Sequence, residues 1–220
     1  SFKLFNVFIH MANAALVFLI LRLILKRLNP SLPYFYIALF SALLWAVWPL
    51  QVSSVLYVIQ RMVLLSSFFV LLGVLFYLFF RIRLEADWKG EFNKWLVLCV
   101  GLSILGLLAI YSKESGVLLL VYVCVLEFFF FRVLGKKTTN IDPEPDSFLM
   151  YFRWGGLILP LCLFISALLY RYVGQADYFY MTREFNLEER LLTQGSVLLD
   201  YIKSLFLPKV SDLGLYHDAY

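Results

Sequence analysis

The chain has 220 residues, of which 62% are hydrophobic, 19% aromatic and 15% charged, with a mean hydropathy of +0.83. Soluble domains run about 45–50% apolar and about 25% charged, and a globule of this length buries only about 70% of its unfolded surface. A soluble enzyme, a disordered tail and a secreted disulfide scaffold are therefore excluded, and lipid must solvate most of the sequence. Cys99, Cys124 and Cys162 each sit in a long apolar run. They read as small buried hydrophobes, with spacing that suits neither a metal site nor a disulfide framework. The net charge of +4 is dispersed between apolar runs, which gives no nucleic-acid signal.

About 20 largely apolar residues are needed to cross a bilayer as a helix. Six stretches qualify or come close, at about 4–25, 34–50, 62–80, 95–111, 116–131 and 154–172. They are continuously apolar rather than alternating, so the reading is an all-α polytopic bundle of about six transmembrane helices and not a β-barrel. Asn29, Pro30 and Pro33 predict a tight turn after the first span. The fifth span is short and uses Arg132 as a snorkelling anchor. Pro160 predicts a kink in the sixth. Between these last two spans, residues 135–147 are polar with two prolines and read as a loop.

Loop charges predict the orientation. One side holds Arg22, Lys26, Arg27, Arg81, Arg83, Lys89, Lys94, Arg132, Lys136, Lys137 and Arg153, whereas the short connections opposite hold only Lys3, Arg61, Lys113 and Arg171. The first side is read as cytoplasmic. Residues 173–220 then form a periplasmic or luminal tail in which residues 187–207 are an amphipathic helix lying in the interface. That helix could cover a lipid-entry groove or cap the bundle. Without an initiator methionine or a signal peptide, the chain reads as a segment of a longer membrane protein.

The unusual residues gather on the outer side. A continuous helix from Leu50 to Phe80 would be about 46 Å long, so its first turns must project into the interface or bend along it, with Pro49 at the first helical position. On such a helix Ser53, Tyr57, Gln60 and Arg61 share one face. A polar face ending in an arginine suits an anion; the alternative is an interfacial arginine among aromatic anchors. The hairpin Tyr111-Ser112-Lys113-Glu114-Ser115-Gly116 holds Lys113 and Glu114 at the same level, either as part of a site or as a self-neutralising, snorkelling turn. His217 and Asp218 lie in the tail as a polar loop or part of a site. Within spans, His10 and Asn13 are one turn apart and suit hydrogen bonds between helices. Glu127 is read as pairing with Arg132 or snorkelling.

Several strings together resemble one known group. SALLWAVWPLQVSSVLYVIQRMVLLSSFFVLL (41–72), LLAIYSKESGVLLL (107–120), ERLLTQGSVLLDYIKSLFLPKVSDLGLYHD (189–218) and the Asn6–Leu23 stretch with its NxxxH pattern are similar to bacterial relatives of the transmembrane and tetratricopeptide repeat protein O-mannosyltransferases. These belong to the GT-C glycosyltransferases, multi-span enzymes that move a sugar from a polyprenyl-phosphate carrier to an acceptor on the outer or luminal face. The resemblance implies a GT-C-like fold, a lipid-linked sugar donor, a protein or glycan acceptor and a bacterial inner membrane with a periplasmic active face. It implies that Arg61, Lys113 and His217 contact the donor phosphate, with Glu114 and Asp218 as supporting acid groups. It also implies a principal catalytic carboxylate in a loop before Ser1 and tetratricopeptide repeats after Tyr220. Two positions depart from the pattern: Trp48 stands where the family has a histidine and Ser53 where it has a glutamate. An inactive membrane scaffold of the same fold is therefore the alternative. No cofactor is evident, and no ligand cluster decides whether a divalent metal takes part.

Overall fold

The computed structural model describes residues 2–86, 92–134, 151–172 and 187–206. They form α1 (Phe2–Leu28), α2 (Tyr34–Ala46), α3 (Gln51–Leu56), a 3₁₀ turn (Val58–Gln60), α4 (Arg61–Ala86) and α5 (Phe92–Ser112). A second 3₁₀ turn (Glu114–Val117) leads into α6 (Leu118–Val125), which continues as a π-helix over Leu126–Leu134. A π-helical stretch (Phe152–Ile158) runs into α7 (Leu159–Tyr172), and α8 is Leu187–Phe206. No strand occurs among the described residues.

Four helical stretches are long and apolar enough to cross a membrane: Lys3–Leu28, Val58–Arg83, Asn93–Ser112 and Glu114–Phe131. By that measure the chain is an integral membrane protein. Two of the six expected spans are shorter than expected. The second ends at Ala46, because Pro49 has no N–H to donate and disfavours helical geometry at Trp48. The sixth is helical over Phe152–Tyr172, but its apolar stretch is only Trp154–Ala167. Just before Pro160, where a kink is expected, the helix is π-wound over Phe152–Ile158. At the first turn, Asn29 Oδ1 accepts from the Ser31 N–H at 3.1 Å and the Ser31 hydroxyl at 2.5 Å, as the Asn-Pro sequence predicts.

α4 is the central element, packed against α1, α5 and α6. Its buried Val70, Val74, Tyr77 and Leu78 meet Leu98 and Ala109 of α5 and Leu119 and Val123 of α6. Close approach depends on small residues. A Cβ at Gly73 would lie 2.7 Å from Leu119 Cδ1, and one at Gly101 would lie 2.5 Å from the Phe76 ring. The outward face of α5, with Val97, Val100, Ile104, Leu107 and Tyr111 exposed, suits hydrocarbon rather than water.

Contacts fix the helix directions. The start of α1 meets the end of α2 (His10 to Ala46) and the start of α4 (Asn13 to Leu64), while the start of α4 meets the end of α5 (Ser66 to Ala109). α1, α4 and α6 therefore run one way and α2 and α5 the other. One end of the bundle collects α3, Arg61 and the 113–116 hairpin, and the opposite end holds Arg81 and Glu127.

Candidate functional site

The backbone between α2 and α4 is interrupted, and this interruption places Arg61. Tyr57 is extended, with φ −86° and ψ 126°, so α3 stops at Leu56 and α4 begins at Arg61. The expected continuous helix from Leu50 is therefore not formed, and the shared face of Ser53, Tyr57, Gln60 and Arg61 does not exist. Instead, backbone carbonyls at and beside the break bind side chains of α1. Asn6 Nδ2 donates to Val55 O at 3.2 Å and to Tyr57 O at 3.1 Å. His10 Nε2 lies 2.9 Å from Ala46 O. A carbonyl can only accept, so Nε2 carries the proton. Asn13 Nδ2 donates to Leu64 O at 3.1 Å. These three residues, at i, i+4 and i+7, are buried. Interrupted backbone at membrane depth is tolerated only where protein groups or water satisfy it, and this stripe supplies much of that satisfaction.

His10 and Asn13 thus bond between helices as their spacing suggests. Asn6 was visible only as the first letter of a motif, although its position one turn before His10 places it on the same face.

Arg61 is half-buried, with its guanidinium 5.5 Å from the centre of the Phe5 ring. Together with Val58, Ile59, Met62, Leu65 and Ser112 it lines an open hollow of about 410 Å³. Ser112, the last residue of α5, donates its hydroxyl to Leu108 O at 2.7 Å and joins the hollow to the hairpin. Lys113 N–H bonds Ala109 O at 3.0 Å and Lys113 O accepts from Gly116 N–H at 2.9 Å, so the turn closes on itself. Gly116 is required there, because a Cβ would overlap the backbone of Ala109 and Ile110. Lys113 and Glu114 are exposed, and neither makes an ion pair or side-chain hydrogen bond among the described residues. The turn is therefore not neutralised by a contact between them. Arg61 and the lysine–glutamate turn sit at one end of the bundle, with Ser112 as the link.

At the two departing positions, Trp48 is half-buried, its Nε1 buried without a hydrogen-bond partner among the described residues. Ser53 Oγ donates to Leu50 O at 3.3 Å within α3. His217 and Asp218 lie outside the described residues. Among the described residues no group of three or more His, Cys, Asp or Glu side chains could hold a metal ion.

Glu127 is paired across helices rather than only along its own. It is fully buried and accepts from Arg81 Nε at 3.0 Å, from Arg81 Nη2 at 3.4 Å and from the Tyr77 hydroxyl. The Arg81 guanidinium also lies 4.9 Å from the Phe131 ring centre. No family model, no curated protein and no solved structure matches the chain.

Proposed function

We propose that the Arg61 end of the bundle binds the phosphate of a polyprenyl-phosphate-linked sugar, and that the chain is the membrane core of a GT-C-type glycosyltransferase acting on the periplasmic or luminal face. The observation that carries this reading is the hollow shared by Arg61 and Ser112, whose other walls are apolar. A cation beside apolar walls suits an anion attached to a hydrocarbon chain better than a free soluble anion. Arginine adds bidentate phosphate geometry, and the adjacent Lys113 is exposed to add a second positive charge.

The chemistry assigns simple tasks to these groups. The acceptor hydroxyl oxygen bonds to the anomeric carbon as the bond from that carbon to the phosphate oxygen breaks. The hydroxyl proton passes to a carboxylate base, and polyprenyl phosphate leaves. Arg61 and Lys113 stabilise the charge that grows on the departing phosphate. Glu114 is the acid group nearest in sequence, with His217 and Asp218 as further candidates and the principal base in a loop before Ser1, as the resemblance implies. The bundle on this reading has six spans, with Arg81 on the cytoplasmic side and α8 in the outer interface. The arc of α8 formed by Leu192, Leu198, Leu199, Ile202, Leu205 and Phe206 is exposed, as an interfacial helix requires.

In the full-length protein, Arg61→Ala and Lys113→Ala should each cut sugar transfer by about 10²–10³ while membrane insertion is retained. Unchanged glycosylation in both variants would overturn the phosphate assignment. The second reading, a non-catalytic membrane scaffold, is favoured by Trp48 and Ser53, where the related pattern has ionisable groups. Lipid-phosphate binding without any sugar transfer by the intact protein would select it.

A further inference from the structure

Between α3 and the 3₁₀ turn that leads into α4, the backbone is extended at Tyr57. Its carbonyl accepts from Gln60 N–H at 3.1 Å and from Asn6 Nδ2 at 3.1 Å. The same amide also donates to Val55 O. In an uninterrupted helix the carbonyls of Val55 and Tyr57 would instead accept from the N–H groups of residues 59 and 61. No Pro or Gly lies between α3 and α4 to force the break, although Val52, Ser53, Ser54, Val55, Val58 and Ile59 are weak helix formers that make it inexpensive. The carbonyls left open at the break need partners from outside the segment, and Asn6 supplies them. Asn6 is fully buried, and both of its donor hydrogens are used on these two carbonyls.

We infer that Asn6 is a positioning residue, an amide clamp on α1 that keeps Tyr57 extended and thereby sets where Arg61 faces the hollow. This rests on the phosphate reading of Arg61 for its functional half. The geometric half is independent of it. Rewinding residues 51–61 into α4 would turn α3 into line with α4 and change which groups stand beside Arg61. The helix break is then part of the site and not a packing accident. His10 and Asn13 hold the flanking points, Ala46 and Leu64, but neither touches the extended residue.

The test uses the full-length protein in nanodiscs, with native cysteines replaced and spin labels on Val52→Cys in α3 and Phe79→Cys in α4, both exposed positions. A single straight helix would separate these residues by about 40 Å. Asn6→Leu, which keeps the size but removes both donors, should shift the distance distribution toward that value. It should also weaken binding of polyprenyl phosphate by about tenfold. Asn6→Gln, which retains the amide, should recover part of both. If Asn6→Leu does not reach the membrane, Asn6→Asp gives the same reading with one donor at most. An unchanged distance distribution overturns the clamp whatever happens to binding. A shifted distance with normal binding, while Arg61→Ala loses binding, overturns the link from clamp to ligand. Normal binding in Asn6→Leu and Arg61→Ala alike overturns the phosphate reading and the functional half with it.

Discussion

The two ends of the bundle each present an arginine from α4, and they use it differently. Arg81 is sealed in, its side chain 4% exposed, with Glu127 at 3.0 Å and the Phe131 ring of the π-helical continuation of α6 against its guanidinium. Arg61, five turns earlier on the same helix, is half-buried on the wall of an open hollow, beneath a backbone that has been broken to place it there. A charge at membrane depth needs compensation. At the Arg81 end that compensation is a carboxylate on a neighbouring helix, which makes the pair a fastening between α4 and α6. The Arg61 end adds access from outside the bundle, which a fastening does not need.

The largest effect should come from splitting the fastening. Glu127→Leu leaves Arg81 charged and buried, and removing one partner of a buried pair costs about 3–5 kcal/mol. Thermal unfolding in detergent should show this as a large loss of stability. The double variant Arg81→Met with Glu127→Leu should recover most of it, because apolar side chains of similar size can replace a buried pair at little cost. If the single variant is as stable as the parent, the pair is not a fastening and the contrast between the ends fails.

At the other end the balance should reverse. Arg61→Ala should leave the unfolding temperature nearly unchanged while sugar transfer by the full-length protein falls by about 10²–10³, the usual effect of removing one preorganised charge-stabilising group. Arg61→Lys, which keeps the charge but loses the planar fork, should fall between. A stability loss in Arg61→Ala as large as that of Glu127→Leu would show that both arginines are structural.

Gly116→Ala tests how far the hollow depends on the hairpin. The added methyl group would meet the backbone of Ala109 and Ile110, atoms that cannot swing aside as a side chain can. Overpacking of this kind costs about 1–3 kcal/mol. The same change should disturb transfer more than an equally destabilising change at the Arg81 end, because Lys113 and Ser112 move with the turn. Equal transfer at equal stability would separate the hairpin from the site.

How much of this could be read from the residues differs along the chain. Long apolar runs declared α1, α4, α5 and α6, because a helix able to cross a bilayer needs little beyond length and apolarity. The break at Tyr57 was not legible. Residues 51–61 carry no Pro or Gly to mark a break, and their weak helix formers Val52, Val55, Val58 and Ile59 do not single out Tyr57. The cause lies about 50 residues away, in the amide of Asn6. The partners of Glu127 on α4 are not legible either, for a similar reason. Its neighbour in sequence, Arg132, points to a local partner, whereas Tyr77 and Arg81 reach it from another helix. Arg61, Lys113 and Glu114 stood out because charges are scarce here, and that scarcity identified the end of the bundle without specifying the geometry that brings Ser112 beside Arg61.

The smallest expected effect separates the members of the α1 stripe. Asn13 Nδ2 donates to Leu64 O, a carbonyl inside α4 that also lies within reach of the helix's own N–H groups. Losing this bond in Asn13→Leu leaves no carbonyl orphaned, so the cost should be about 0.6 kcal/mol, the average for a side-chain hydrogen bond between membrane helices. Asn6→Leu should cost more, because it releases the carbonyls at the break. The two variants have the same size change, the same host helix and similar burial, so the difference in their unfolding temperatures reads the backbone break alone. If Asn13→Leu proved the more damaging, the main function of the stripe would be to bind α1 to α4, and the region around Tyr57 would be held open by something other than Asn6.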